Sequence, residues 1–319
     1  MKLSTLSRLA SLAVLAAGTA SAGTIQMPPT CTTPDGMAVA PDGKLVIAAP
    51  NNSRKQPGCL FRLDAPGGTP VKWFDVPALP ESGYSQPMGV CFGPEGELYV
   101  CDCQKAGLAR VLRFTFRDDR VATCETVAEG LHNANGVKYL DGRLYVTQAF
   151  LKAFPDGSAR GDGAATSGLY MFKATDRNVR VGNTPADPQC VFSDVTRGKI
   201  ACGLNGVAVD SKGRVYTGNY GAGTLWRLTP GADGRIAEAV QVLRPEDGVK
   251  TPDGLCVDAQ DNVYIADMFG SQTVKVSPKG EVSVVQKDGL NRPSEPCVWR
   301  GHVYTANYGG TTLDETPAN

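Results

Sequence analysis

Short stretches in which apolar and polar residues alternate recur along this chain, and six of them share one layout. They open at Asp35, Met88, Asn135, Asn205, Asp253 and Glu295. In each, the opening residue leads into a short run such as Gly36-Met37-Ala38-Val39. A turn rich in Asp and Gly follows, and then a second run such as Leu98-Tyr99-Val100 or Val263-Tyr264-Ile265. Period-two alternation broken by an Asp/Gly turn predicts a β-hairpin. Between the hairpins, GCLFRLDA, ARVLRFTF, GLYMFKA, GTLWRLTP and QTVKVSP read as third strands. TPVKWFDV, VATCETVAEG, AEAVQVLR and EVSVVQK read as fourth strands. Four-stranded units spaced roughly 50 residues apart imply a repeat architecture. The expected fold is therefore all-β: a six-bladed β-propeller of four antiparallel strands per blade, forming one domain over residues 23–319. A two-sheet sandwich accommodates six matched hairpins poorly. The interval between Asn135 and Asn205 is the longest and contains a polar, glycine-rich insertion, Ala149 to Gly168. It leaves from the end of a second strand and is a candidate lid.

Composition adds the compartment. Lys2 and Arg8, the apolar run Leu9 to Ala17 and the small residues Ala20-Ser21-Ala22 read as a secretory signal peptide spanning residues 1–22. The expected location is secreted or periplasmic. The apolar run is too short for a membrane span. Formal net charge is +0 and the sequence pI ≈ 6.7, so neither nucleic acid nor a membrane surface is an expected partner; a small molecule is. Ten cysteines in an exported chain suggest disulfides, with Cys190 and Cys202 a plausible pair, whereas Cys91 and Cys256 fit as small buried residues. With 2 histidines, a histidine-rich metal site is excluded.

The propeller expectation gives the opening residues chemical meaning. The first strand of each blade lines the central channel, so six residues from distant parts of the chain form a ring at one mouth. Five of the six, all but Met88, carry side-chain oxygens. Asp-Gly and Asn-Gly pairs at strand starts could be turn chemistry alone. The tight turns, however, lie elsewhere, at Asp42-Gly43, Glu95-Gly96 and Asp141-Gly142. Clustered carboxylates repel unless a cation binds among them. Carboxylate and amide oxygens suit one hard divalent cation, calcium first, with magnesium, manganese or zinc as alternatives. The five oxygen-bearing members of the ring, Asp35, Asn135, Asn205, Asp253 and Glu295, are the candidate ligands. A second polar series, Asp102, Gln148, Asn219, Asp267 and Asn307, ends the second strands and is expected to cap loop backbone. His132 stands close to Asn135, as a substrate-side group or as an ordinary loop residue.

CGLNGVAVDSKGRVYTGNYGAGTLWRL and TPDGLCVDAQDNVYIAD resemble the senescence marker protein, gluconolactonase and luciferin-regenerating enzyme group of six-bladed propellers, and the likeness extends over nearly all of the chain after residue 22. The resemblance implies one channel cation held by a Glu of the first blade, the fourth-blade Asn, here Asn205, and the fifth-blade Asp, here Asp253. It also implies a third-blade Asn near the substrate, here Asn135. This sequence departs from the pattern in three places: Asp35 stands for the first-blade Glu, Glu295 joins the ring from the sixth blade, and Asn133-Ala134-Asn135-Gly136 replaces an Arg-containing motif. The implied activity is metal-dependent hydrolysis of a lactone or related ester. Asp253 would be the general base and Asn135 an orienting or oxyanion-stabilising group, with Asn133 and His132 beside the substrate. Two other readings remain open: a secreted, non-catalytic propeller of the NHL type that binds carbohydrate or protein, and a lyase or phosphotriesterase working at the same mouth.

Overall fold

A computed structural model describes residues 23–104, 106–152, 164–197 and 200–318. The proposed signal peptide and the centre of the proposed lid lie outside these residues. Six sheets are arranged as the blades of a propeller. Blade 1 consists of Met37–Val39, Leu45–Ala49, Cys59–Leu63 and Val71–Asp75. Blades 2 to 5 repeat the scheme from inner strands Pro87–Phe92, Ala134–Leu140, Leu204–Val209 and Pro252–Val257. The third and fourth strands expected for blades 1, 2, 4 and 5 are all present. Blade 2 departs from four strands: Val179–Arg180 adds a short parallel fifth, pairing with Ala128 and Glu129. The insertion in blade 3 is shorter than expected, because Ala164–Lys173 is already strand and pairs with Arg143–Gln148.

Blade 6 is assembled from both chain ends. Pro293–Trp299, His302–Asn307 and Thr312–Pro317 form its first three strands. Gly23–Gln26 pairs antiparallel with the last of these, and Gly23 faces Glu315. This closure ties the first described strand to the last, with Gly23–Gln26 as the outer strand of the blade.

The core lies between blades. Val46 and Leu60 of blade 1 meet Val90, Leu112 and Phe114 of blade 2 in one apolar cluster. Similar clusters join blades 2 to 3, 3 to 4 and 4 to 5, and Tyr304 and Leu313 of blade 6 to Ile47 and Phe61 of blade 1. Each such fully buried side chain contributes roughly 1.5–3 kcal/mol relative to exposure. The tyrosine that recurs in the second strands is buried in this layer, and in blades 4 and 5 its hydroxyl has an acceptor in the hairpin turn. Tyr216 donates to Asp210 and Tyr264 to Asp258, both at 3.2 Å, so the hairpin turn of the same blade satisfies the buried oxygen. Trp299 reaches from blade 6 to the Gly43 carbonyl of blade 1 at 2.8 Å.

All ten cysteines are free thiols, and Cys190 and Cys202 are not paired. Cys190 is buried between blades 2 and 3, its thiol directed to the Phe192 carbonyl at 3.4 Å, whereas Cys202 faces the channel mouth. The disulfide expectation fails because the repeat places thiols where a small apolar side chain packs. Cys91 and Cys297, at matching inner-strand positions of blades 2 and 6, are examples.

The two Pro-Asp-Gly tripeptides of the first repeat separate cleanly. Asp42 occupies an exposed turn, accepts from the Lys44 backbone N–H at 3.3 Å and pairs with the Lys44 ammonium at 3.4 Å. The following Gly43 has φ 80°, a left-handed conformation that favours glycine. Asp35 is only 7% exposed, at the channel. Asp42→Asn is therefore expected to change unfolding free energy by less than about 1 kcal/mol, because exposed ion pairs contribute little. A urea titration of purified protein checks this, and a larger loss would mean that the turn carries structural weight beyond its ion pairs with Lys44 and, at 3.8 Å, Arg62.

Candidate active site

One register rule builds the channel mouth. In blades 2 to 6 the first inner-strand residue pairs with the last residue of the second strand: Pro87 with Asp102, Ala134 with Gln148, Leu204 with Asn219, Pro252 with Asp267 and Pro293 with Asn307. A bulge follows in each case. The next residue therefore leaves the regular ladder, at the channel mouth. Counted this way, the ring is Asp35, Met88, Asn135, Asn205, Asp253 and Ser294.

This corrects the sequence-based ring at one member. Glu295 stands one place further along, at the position occupied by Gly36, Gly89, Gly136, Gly206 and Gly254 in the other blades. Close approach of neighbouring inner strands explains those glycines. A Cβ on Gly36 would overlap the Met88 carbonyl oxygen, and one on Gly206 the Asp253 carbonyl oxygen. Glu295 thus adds a carboxylate to the tier beneath the ring, beside Gly254. The mouth itself holds two carboxylates, not three. Among the described residues no three acidic, thiol or imidazole groups are arranged to hold a metal. What converges is a mixed set of carboxylate and amide groups.

The electrostatics follow from burial. Desolvation pushes Asp35 up to about 7, with partial relief from the neighbouring Ser294 hydroxyl. Asp253 is raised well above the usual carboxylate range by burial, and then by the charges of Asp35 and Glu295. Burial lifts Glu295 to about 8, while Lys138, lower in the channel, opposes the shift. Asn205 Oδ1 and Asn133 Oδ1 are buried acceptors with no hydrogen-bond partner. Unrelieved carboxylates beside an orphaned amide oxygen are what a hard cation would satisfy, so Asp35, Asn205 and Asp253 fit such an ion. Glu295 reaches the same cluster from beneath.

Above the ring lies a cavity of about 370 Å³, within the size range of small-molecule sites. Asp35, Met88, Asn133, Asn135, Asn205 and Asp253 all line it. His132 does not; its backbone N–H is bonded to Gln148 and Asn183, at 2.8 and 3.1 Å. Beneath the ring the channel narrows to a void of about 10 Å³, lined by the glycines, Lys138 and Glu295.

The second polar series behaves as caps. Gln148 accepts from His132 N–H, Asp267 from Thr251 N–H and Asn307 from Asn291 N–H, at 2.8 to 2.9 Å. Each anchors the segment entering its own blade's inner strand, and none lines the cavity. The wall is instead made by Asn52 of blade 1 and by residues that come just after the caps: Cys103, Phe150, Tyr220, Met268 and Tyr308. Sequence reasoning missed the latter by one position, two for Phe150, and its polar series had no member in blade 1 to point to Asn52. The repeated Asn-Tyr-Gly at Asn219 and Asn307 was the available signal.

No protein-family profile matches the sequence, and no curated protein is similar to it. Solved structures are similar in fold. A gluconolactonase from Xanthomonas campestris superimposes with a TM-score of 0.62 at 15% identity, covering 96% of this chain and 93% of that one. Luciferin-regenerating enzyme gives 0.62 at 12% identity, covering 94% and 96%. The PQQ-bound aldose sugar dehydrogenase of Streptomyces coelicolor gives 0.60 at 15% identity, covering 93% and 98%. These likenesses establish the fold. They include the gluconolactonase and luciferin-regenerating enzyme types that the sequence resembles, and the dehydrogenase shows that the same fold serves other chemistry.

Proposed function

We infer that this protein is an exported, divalent-cation-dependent hydrolase of lactones or related esters, acting at the channel mouth. The observation that carries the reading is the convergence of two buried carboxylates and an unpartnered amide oxygen on the floor of a cavity of about 370 Å³. A cation held by Asp35, Asn205 and Asp253, with calcium the first choice, would supply Lewis-acid polarisation of the substrate carbonyl. Asp253, a carboxylate on the cavity floor, accepts the proton of the attacking water. The water oxygen bonds to the carbonyl carbon, the ring C–O bond breaks, and the proton passes to the leaving alkoxide, giving a hydroxy acid. Asn135 directs an amide at the substrate oxygen, and Asn133 stands beside it. The void beneath the ring is only about 10 Å³, which leaves the mouth side as the space for substrate.

Acid release from a lactone panel, followed by pH-stat, tests the reading. Turnover is expected with calcium, loss on chelation, and recovery on adding back calcium or manganese. A metal-loaded protein inert on every lactone and ester would overturn it and favour a binding propeller. Product with a new double bond and no consumption of water would instead identify a lyase.

A further inference from the structure

The wall above the ring carries information that the floor does not. We propose that the site is built for an uncharged lactone or ester bearing an aryl or alkyl group, rather than for a polyhydroxylated or anionic one. This rests on the hydrolase reading for the reaction, but on the wall for the choice of ligand. Met88, Phe150, Tyr220, Met268 and Tyr308 all line the cavity. Phe269 continues the surface outward: it is 50% exposed and meets Tyr220 edge to face at 6.1 Å. A half-exposed phenylalanine beside a cavity of this size is apolar surface available to a ligand.

The polar ends of the wall are largely engaged with one another. Tyr220 O–H points at Met268 Sδ, 3.1 Å away. Asn52 donates to the Tyr308 hydroxyl and accepts from Gln86 at 2.8 Å. Asn133 Nδ2 is directed at Cys103 Sγ at 3.4 Å. Asn133 Oδ1 is left as an acceptor, but a ligand carrying a hydroxyl on every carbon would outnumber the partners this wall offers. An aryl or alkyl group would instead replace water on aromatic and thioether surface.

Charge points the same way. No lysine or arginine lines the cavity among the described residues. Lys138 lies in the tier beneath, and Arg292 is felt electrostatically at Tyr220 without lining the space. With a divalent cation on the two floor carboxylates the mouth would be near neutral, and among the described residues no cationic side chain lines the cavity to pair with a phosphate or a distal carboxylate.

Three lactones of one ring size test this on the calcium-loaded protein: δ-phenyl-δ-valerolactone, glucono-1,5-lactone and its 6-phosphate. Calorimetric binding of 6-phenylpiperidin-2-one, the lactam counterpart of the first, is measured in parallel. The phenyl lactone is expected to exceed gluconolactone in kcat/KM by at least about tenfold, with the phosphate poorest. Met268→Ser and Phe269→Ser, both at partly exposed positions, should each lower that preference severalfold through KM and weaken lactam binding. Equal or better turnover of gluconolactone or its phosphate, or a lactam that does not bind, overturns the proposal. Lactam binding weakened by Met268→Ser, with no lactone hydrolysed, would overturn the hydrolase reading and leave the ligand class standing. Gluconolactone turnover without lactam binding would do the reverse.

Discussion

Asp253→Asn is expected to lower kcat/KM for the best lactone by at least about a thousandfold, within the range assigned to general bases. The substitution keeps the size and shape of the side chain and removes one charge. Asp253 sits between the field of Asp35 at the mouth and that of Glu295 in the tier beneath, and both raise its proton affinity. An asparagine there takes neither a proton nor a full share of a cation's charge, so chemistry and metal loading weaken together. The metal-free variant should be no less stable than the parent, because a buried, repelled carboxylate has been replaced by a neutral amide. Steady-state kinetics with circular dichroism and thermal unfolding separate the effects. A folded, metal-loaded variant with undiminished turnover would remove Asp253 from the base role. Asn135→Ala should cost less, about a hundredfold, because it deletes a hydrogen bond rather than a base.

The second large effect lies in the stability of the metal-free protein. Asp35 and Glu295 have folded-state proton affinities raised to about 7 and about 8, and Asp253 is raised too. Each is above the unfolded value, so the folded chain binds more protons and stability falls as pH rises from about 4 through about 8. A tenfold difference in proton affinity between the folded and unfolded chain is worth about 1.4 kcal/mol. Three neighbouring carboxyls therefore make a loss on the order of a few kcal/mol, or several degrees in Tm. Glu125 and Asp261 have lowered proton affinities, so any stability they contribute is lost at acidic pH, below this window. Thermal unfolding of chelated protein should therefore decline between pH 5 and pH 8. Calcium should raise Tm most at pH 8, because the cation competes with protons for the same oxygens. A flat profile, or a calcium effect largest at pH 5, would show that these carboxylates do not bind it.

The hairpins, the spacing of the blades and the distinction between Asp35 and Asp42 were legible in the chain, because each depends on period-two alternation and turn chemistry confined to a few consecutive residues. So were the ring positions of Asn135, Asn205 and Asp253, which open units that share a Gly-Val or Gly-Leu step and a second strand containing Leu-Tyr or Val-Tyr. Glu295 was misplaced because the sixth unit is the most degraded. Its proline-rich start, Pro293-Ser294-Glu295-Pro296, aligns equally well one residue out, and only the pairing of Pro293 with Asn307 puts Ser294 in the ring. The cavity wall was missed for a related reason. The polar cap and the wall residue are neighbours in sequence, but the strand ends at the cap and the segment that follows carries the next side chains to the mouth.

By itself, then, the sequence determined an all-β repeat protein with oxygen-donor residues at the starts of its inner strands. Tertiary structure decided that two carboxylates stand at the mouth and one beneath, that the thiols remain unpaired, and that an aromatic and thioether wall rises above the ring. The physical reason is that ladder register and ring closure are set by hydrogen bonds between residues far apart in the chain. Gly23 with Glu315 and Pro293 with Asn307 are two such pairs, and no local pattern records them.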